Sequence, residues 1–508
     1  MNKRQTIKVL RRIVMGSILT LGYSACSPFR PDVADSATIK EAWDEFSNPA
    51  DSARTKVWWF HGETETTREG ITADLEAYKR AGVGGVVYYD QVHGKGEHAL
   101  PAFSVEWWEM LKFAASEAKR VGLSFEINLS NGYVAGGPWI TKALSMQRLT
   151  ASDTIIRGKQ QFAAVLPAPG DDEFWDIAVL AFPVPQNQWM TNNSQRPKVT
   201  CNLPGVSAED FFCKKSRLTT IPPQQPGKSV YINLDFETSF TARSITYRVS
   251  KRSKASTGAM NVPGAPADEF YGSSYVKQPP LGQLEVSDDG INYSKVCDLK
   301  PIYQAAASRW DQKTVSFPAV TGRYFRLNLH DWCLAGDQRP EMALGNVTLS
   351  SRARIDQWEE RAGFYSEYIL KNLTPAYTDE EIIDLKTIVD LTSKMGTDGR
   401  LEWDVPEGDW VIMRFAHEST GGPSKHGRAN LKGLECDKMS VEAVTTQWNN
   451  YAARMIDTLS AINVKPDGVI MDSHEAGAQN WTPGFEQEFL RRKGYDLFSY
   501  LPAMMGYI

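Results

Sequence analysis

The sequence predicts an α/β protein with added β structure: a (β/α) barrel of the TIM type, only about half of it present, interrupted by an inserted β-sandwich. Three observations predict this. Apolar strands alternate with amphipathic helices over residues 56–150, and the alternation resumes over 431–508. Between them, residues 151–352 change to short alternating strands in Pro-, Gly-, Ser- and Thr-rich chain. Polar and ionisable residues gather where the apolar strands end. Strands joined by helical crossovers form parallel sheets, continuous apolar strands are buried on both faces, and barrel enzymes carry their active groups at strand carboxyl ends.

The elements follow in order. MNKRQTIKVLRR is a basic start, and IVMGSILTLGYSA is an apolar stretch too short to span a bilayer comfortably. Ser24-Ala25 then precede Cys26, so residues 1–26 read as an export signal with lipidation at Cys26; a plain secretory signal is the alternative. Residues 27–55 form a linker. KVWWFHG is a strand with a polar end. ITADLEAYKRAG puts Ile71, Leu75 and Tyr78 on one helical face, with Gly82 as its stop. GGVVYYD is a buried strand. Ser104 caps a helix with Trp107, Leu111, Ala114 and Ala118 on one stripe, closed by Gly122, and LSFEINLSNG is the next strand.

Within 151–352, SVYINLDFE, SITYRVS, QLEVSDDG, TVSFPAV and RYFRLNLHD alternate as sandwich strands do. LEVSDDGINYSKV followed by TGRYFRLNL resembles discoidin-type carbohydrate-binding modules over a few dozen residues. Residues 353–430 are mixed and rich in β structure. There, GRLEWDVPEGDWVIMRFAHEST predicts a hairpin turning at Pro406, Glu407 and Gly408. In 431–508, Ser440 caps a helix with Val444, Trp448, Tyr451 and Met455 on one face. DGVIMD is a strand, and Thr482 caps a helix with Pro483 at its first position and Gly494 at its end.

Composition narrows the function. A net charge of −5 and a pI near 5.9, without a clustered basic surface, argue against nucleic-acid binding. The 15 tryptophans serve either core packing or stacking on sugars. After Cys26, five cysteines remain: Cys201, Cys213, Cys297, Cys333 and Cys436. None has zinc-site spacing; Cys201 and Cys213 are either a disulfide or, with the rest, scattered thiols. GxSxG, GxGxxG after a strand and the P-loop pattern are all absent from the sequence.

The strand ends carry the chemistry. They present His61 and Glu63, then Asp90, then Asn128 and Asn131, and finally Asp472, His474 and Glu475. Any one of these is equally well read as loop material, but three ionisable groups crowd the last strand end. A carboxyl with a raised pKa serves as a general acid. Glycoside hydrolysis uses two carboxyls, about 5–5.5 Å apart for retention and about 6.5–9.5 Å apart for inversion. Clustered acids also bind Ca²⁺.

These residues bring the chain into register with a family. WWFHGE, GITADLEAYKRAGVGGVVYYD, FSVEWWEMLKFAASEAKRVGL, GGPWIT, GRLEWDVPEGDWVIMRF, GLECDKMS, DSHEAGAQNWT and GFEQEFLRRKGYDLFSYLPAMMGY lie in order from Lys56 to the end. Together they resemble glycoside hydrolase family 106, the α-L-rhamnosidases. The resemblance implies a (β/α) barrel with β-domains, hydrolysis of α-L-rhamnosides with inversion, and calcium, whose ligands it does not identify. It places Glu475 as the general acid, with Asp472 and His474 beside it. It implies a sugar subsite involving Trp58, Trp59, His61 and Trp139, with core packing the equal alternative for Trp58 and Trp59, and the strand ends add Asp90 and Asn131. The family pattern Trp-Trp-His-Trp stands here as Trp58-Trp59-Phe60-His61, so the histidine is displaced by one place and expected on the opposite face of the strand. Asp437 and Lys438 match the family without an assignable role, and Glu435 reads as a solvated acid in preference to a ligand.

Only about four barrel strands are counted where the fold needs eight. An open half-barrel uncovers apolar residues of GGVVYYD and DGVIMD, each forfeiting roughly 1.5–3 kcal/mol of burial. The expectation is therefore a truncated product with little or no hydrolytic activity, its second carboxylate lying on a later strand. The expected partner is an oligo- or polysaccharide containing L-rhamnose. The expected location is the periplasm or surface of a Gram-negative bacterium, with membrane contact only through a lipid anchor. The alternatives are a non-catalytic glycan-binding lipoprotein, an inactive gene fragment, or a family member acting on another deoxy-sugar linkage.

Overall fold

The structure is a computed structural model. It describes residues 36–62, 64–92, 98–170, 173–185, 188, 190–213, 217–223, 227–250, 280–302, 310–332, 341–364, 374–472 and 477–508.

Four strands, Lys56–His61, Gly85–Asp90, Ser124–Asn128 and Gly468–Ile470, form an open sheet in that spatial order. All neighbours are parallel, with Trp59 beside Tyr88 and Ile127 beside Val469. The crossovers are the helices Arg68–Arg80 and Val105–Val121. Thr67 and Ser104 start them by accepting from the backbone N–H of Gly70 and Trp107, each residue satisfying one orphan donor. Gly122 ends the second in the left-handed conformation. Their apolar stripes, Ile71, Leu75, Trp107 and Leu111, cover one face of the sheet at Trp59, Val86, Tyr88 and Ile127.

The other face is partly open. Trp58 is 46% and Phe60 43% exposed. Their rings lie 5.3 and 5.5 Å from Tyr89 and cover it. The expected exposure of GGVVYYD is therefore corrected, because Gly85–Asp90 is buried throughout, with a strand on each side. DGVIMD lies at the sheet edge and does expose Val469 and Met471.

A seven-stranded antiparallel sheet dominates the middle of the chain. Its longest members are Val230–Val249 and Gln312–Leu329, paired with irregularities after Asp235 and Ala242. Alternation sends Ile232, Leu234, Phe325 and Leu327 into the core. A further four-stranded sheet joins Gln147–Ile156 and Phe174–Pro183 to Trp410–Ser419 and Val389–Asp390, so pairing crosses the boundaries at residues 151 and 353.

Three local expectations change. The expected hairpin is not one: Arg400–Val405 pairs with Gln160–Val165, whereas Trp410–Ser419 pairs elsewhere. Long-range pairing, not the turn, chooses the partners of both strands. The helix after Ser440 is two, Val441–Asn450 and Ala452–Ser460, broken at Tyr451; Val444 and Trp448 are exposed while Tyr451 and Met455 are buried. The last long helix is Phe485–Lys493, starting after Gly484, because the Thr482 hydroxyl donates to Asp437 instead of capping it. Gly494 does stop it. Cys201, Cys213, Cys297 and Cys436 are free thiols, which closes the Cys201–Cys213 disulfide alternative, and Cys333 lies outside the described residues. No described helix is long and apolar enough to cross a membrane.

Candidate active site

The carboxyl ends of the parallel strands are crossed by residues 420–438. The Val92 N–H donates to the His426 carbonyl (2.7 Å), and that of Tyr133 to the Lys425 carbonyl (3.2 Å). The anchor of the crossing is Arg428, nearly inaccessible to water. Its Nε donates to Asp90 Oδ1 at 2.5 Å, and its Nη2 completes the ion pair. Asp90 Oδ2 accepts from Trp107 Nε1 at 3.1 Å, and the Arg428 N–H donates to Asn131 Oδ1 at 3.0 Å. Arg428 thus brings Asp90 and Asn131 together, while the buried Asn131 Nδ2 finds no hydrogen-bond acceptor among the described residues.

Trp59 and His61 sit on the helix-covered face with Asp90. Trp59 Nε1 donates to Asp74 at 3.0 Å. The His61 ring stacks on Tyr88 at 4.4 Å and meets Trp59 edge-on at 4.3 Å. Burial, aided by the Arg428 charge, lowers the His61 pKa to about 3, so it is neutral at physiological pH. The one-place displacement in Trp58-Trp59-Phe60-His61 has the consequence its strand period demands: Trp58 and Phe60 take the open face, His61 the covered one. Trp139 stands apart. Its Nε1 donates to Gln447 Oε1 at 2.8 Å, and Gln447 Nε2 reaches the Leu129 carbonyl at 3.3 Å.

Asp472 follows the last strand on the open-face side. Burial, and then the Asp472 carboxylate, hold the Tyr89 hydroxyl well above its ordinary pKa. His474 and Glu475 lie outside the described residues, as do Glu63 and Cys26.

The residues that sequence reasoning undervalued are in GLECDKMS. Glu435 is wholly buried and paired with Lys438, which corrects its reading as a solvated acid. Neither Glu435 oxygen accepts a hydrogen bond from a described group. Burial lowers the Lys438 pKa to about 8. Asp437, also buried, accepts from Gln479 Nε2 (2.5 Å), Thr482 Oγ1 (2.6 Å) and the Met439 N–H (2.8 Å). Gln479 and Thr482 belong to the chain just after Glu475, so this cluster borders the crowded strand end. The only signal in the sequence was the crowding of Glu435, Asp437 and Lys438 in four residues.

Leu434–Glu435 is held there by pairing with Gly136–Gly137. A Cβ on Gly433 would overlap the Gly137 and Pro138 backbone. Gly433→Ala is therefore expected to destabilise the protein by about 1–3 kcal/mol, the usual range for overpacking. An unchanged melting temperature would refute this.

Calcium does not fit the described residues. No group of three or more acidic, histidine or cysteine side chains among them gathers as a cation site. The orphaned Glu435 oxygens already face the Lys438 ammonium, which would repel a second cation.

A parallel sheet whose strand ends hold the buried carboxylates Asp90, Glu435 and Asp437, joined to antiparallel β structure, defines a mixed α/β protein. Residues 47–508 match the alpha-L-rhamnosidase family, and the chain belongs to this family of glycoside hydrolases, family 106. It is similar to the solved rhamnosidase from Novosphingobium sp. PP1Y, with 28% identity and a TM-score of 0.72, covering 92% of this chain and 42% of that one. It is also 24% identical over 494 residues to a Formosa agariphila protein named "Putative beta-glucuronidase", covering 96% of this chain and 28% of that protein. The chain thus spans less than half the length of either relative.

Proposed function

We propose that this chain carries part of an exported glycosidase that removes terminal α-L-rhamnose from plant or bacterial polysaccharides with inversion. The observation that carries the proposal is the family match over residues 47–508, which includes the strand Gly468–Ile470 that leads into Asp472, His474 and Glu475. Glu475 delivers a proton to the glycosidic oxygen as the bond to the sugar breaks. A second carboxylate takes a proton from the attacking water on the opposite face. Asp472 and His474 set the electrostatic environment of Glu475. Asn131 and Trp139 border the sugar subsite, and Trp59, His61 and Asp90 shape it from the covered side of the sheet. The parallel sheet belongs to a (β/α) barrel and the antiparallel sheet to an inserted sandwich, readings that the rhamnosidase likeness supports. Residues 1–26 direct export and Cys26 carries the lipid anchor. Calcium is part of this reading only through the family resemblance, and no step above passes through it.

The test uses an α-L-rhamnoside with a poor, alkoxide-like leaving group. Glu475→Gln is expected to reduce hydrolysis about a hundredfold to ten-thousandfold, the usual range for losing a general acid. Activity on an activated aryl rhamnoside should fall much less, because that leaving group departs without a proton. Equal losses on both substrates would reject Glu475 as the acid. Hydrolysis of neither substrate by the unsubstituted chain would reject the enzyme reading for these 508 residues. Initial release of the β-anomer of rhamnose, read by NMR, is the expected sign of inversion.

A further inference from the structure

The outward face of the seven-stranded sheet holds a cavity of about 450 Å³, within the range of small-ligand sites. Strand alternation builds it. With Ile232, Leu234 and Phe325 turned into the core, Tyr231, Asn233, Tyr324 and Arg326 face outward together. The strand Lys198–Cys201 forms one side, paired so that Thr200 lies opposite Asn233 and Lys198 opposite Asp235.

The groove is braced before any ligand arrives. Arg326 is bound to Glu285 (Nε to Oε2, 2.6 Å), and its guanidinium lies over the rings of Tyr293 (3.8 Å) and Tyr231 (4.6 Å). The turn before Tyr293 is knitted by Asp289, which accepts from the N–H groups of Ile291 and Asn292, both at 2.8 Å. Gly290, at φ +72°, lets that turn lie on the Tyr324 ring; even a Cβ there would sit 3.4 Å from it. Asn202 is fixed by accepting from the Tyr231 N–H at 2.8 Å.

Glu285 balances Arg326, Arg323 balances Asp235 at 3.0 Å, and the Asp289 carboxylate is taken up by the donors of its own turn. Among the described residues, Lys198 has no hydrogen bond or ion pair, and its side chain lines the groove. Tyrosine rings match the apolar faces of sugar rings, amides and hydroxyls match sugar hydroxyls, and one uncompensated ammonium favours a carboxylate. We propose that this groove is a second, non-catalytic site that binds an acidic oligosaccharide through its tyrosines, with Lys198 on a uronate carboxylate. The inference is independent of the glycosidase reading, since it uses none of the strand-end residues.

Titration calorimetry of the whole chain with tetragalacturonate and with neutral maltotetraose tests it. Tetragalacturonate is expected to bind and maltotetraose to bind at least several-fold more weakly. Tyr324→Ala should weaken tetragalacturonate binding about tenfold or more, as loss of a central aromatic contact does. Lys198→Ala, at an exposed position that does not threaten folding, should weaken it by up to about fivefold at low salt and little at high salt. Glu475→Gln should leave it unchanged. No binding of tetragalacturonate, or binding unaltered by both groove substitutions, would overturn the site. Equal binding of the two sugars with Lys198→Ala silent would overturn its acidic specificity.

Discussion

Arg428→Met is expected to destabilise the protein by about 3–5 kcal/mol, because it leaves the Asp90 carboxylate buried without its counter-ion. The carboxylate would keep neutral donors, the Trp107 ring N–H and the Tyr451 hydroxyl, in place of a counter-ion. Asp90→Leu should be comparably costly, since it strands the guanidinium instead. The double variant Asp90→Leu/Arg428→Met should cost less than the two single losses combined, because neither charge then remains buried alone. Urea midpoints followed by tryptophan fluorescence measure all three. A loss below about 1 kcal/mol for Arg428→Met would mean that water reaches Asp90 and the pair is not structural. The comparison also assigns Asp90. If it holds the sugar directly, Asp90→Asn should weaken substrate binding while leaving the unfolding midpoint in place; a positioning role predicts the reverse order of effects.

Lys313→Met is the second large expectation, at about 3–5 kcal/mol. Lys313 and Glu360 form an ion pair whose side chains are wholly buried. Glu359 lies beside them, accepting from Thr314 Oγ1 at 2.7 Å. Removing Lys313 would leave two adjacent buried glutamates without their nearest cation. Burial, and then the neighbouring Glu360 charge, raise the Glu359 pKa from 4.5 to about 8. The folded state therefore holds this proton more tightly than the unfolded chain. Where the folded state binds more protons, stability falls as pH rises. The loss contributed by Glu359 should accumulate from about pH 4.5 to about pH 8 and then level off. Glu359→Gln, which mimics the protonated acid, should flatten this part of the profile. An identical slope in both proteins, read from melting temperatures at each pH, would show that Glu359 is not the group responsible.

Much of the α/β framework was readable because its determinants are local. Ser104, Gly122 and Gly494 mark helix ends through contacts within one turn. The apolar stripe of Val105–Val121 needs no knowledge of its partner. The site was less readable. Asp90 looked like one more polar strand end, and its partner Arg428 lies 338 residues away. Glu435 looked solvated because nothing in GLECDKMS reveals that Gly136–Gly137 will pair with Leu434–Glu435 and close over it.

By itself the sequence determined the family, the alternation of apolar strands with helices, and the parity that sends Trp59 and His61 to one face and Trp58 and Phe60 to the other. Those follow from residue periodicity and from short-range capping. Only the tertiary structure decided that Arg400–Val405 and Trp410–Ser419 part company across their turn, that the 420–438 segment locks the strand ends through Arg428, and that Glu435 is buried in an ion pair with Lys438. Strand pairing and charge burial depend on which distant groups exclude water from one another, and that information is spread over residues hundreds of positions apart.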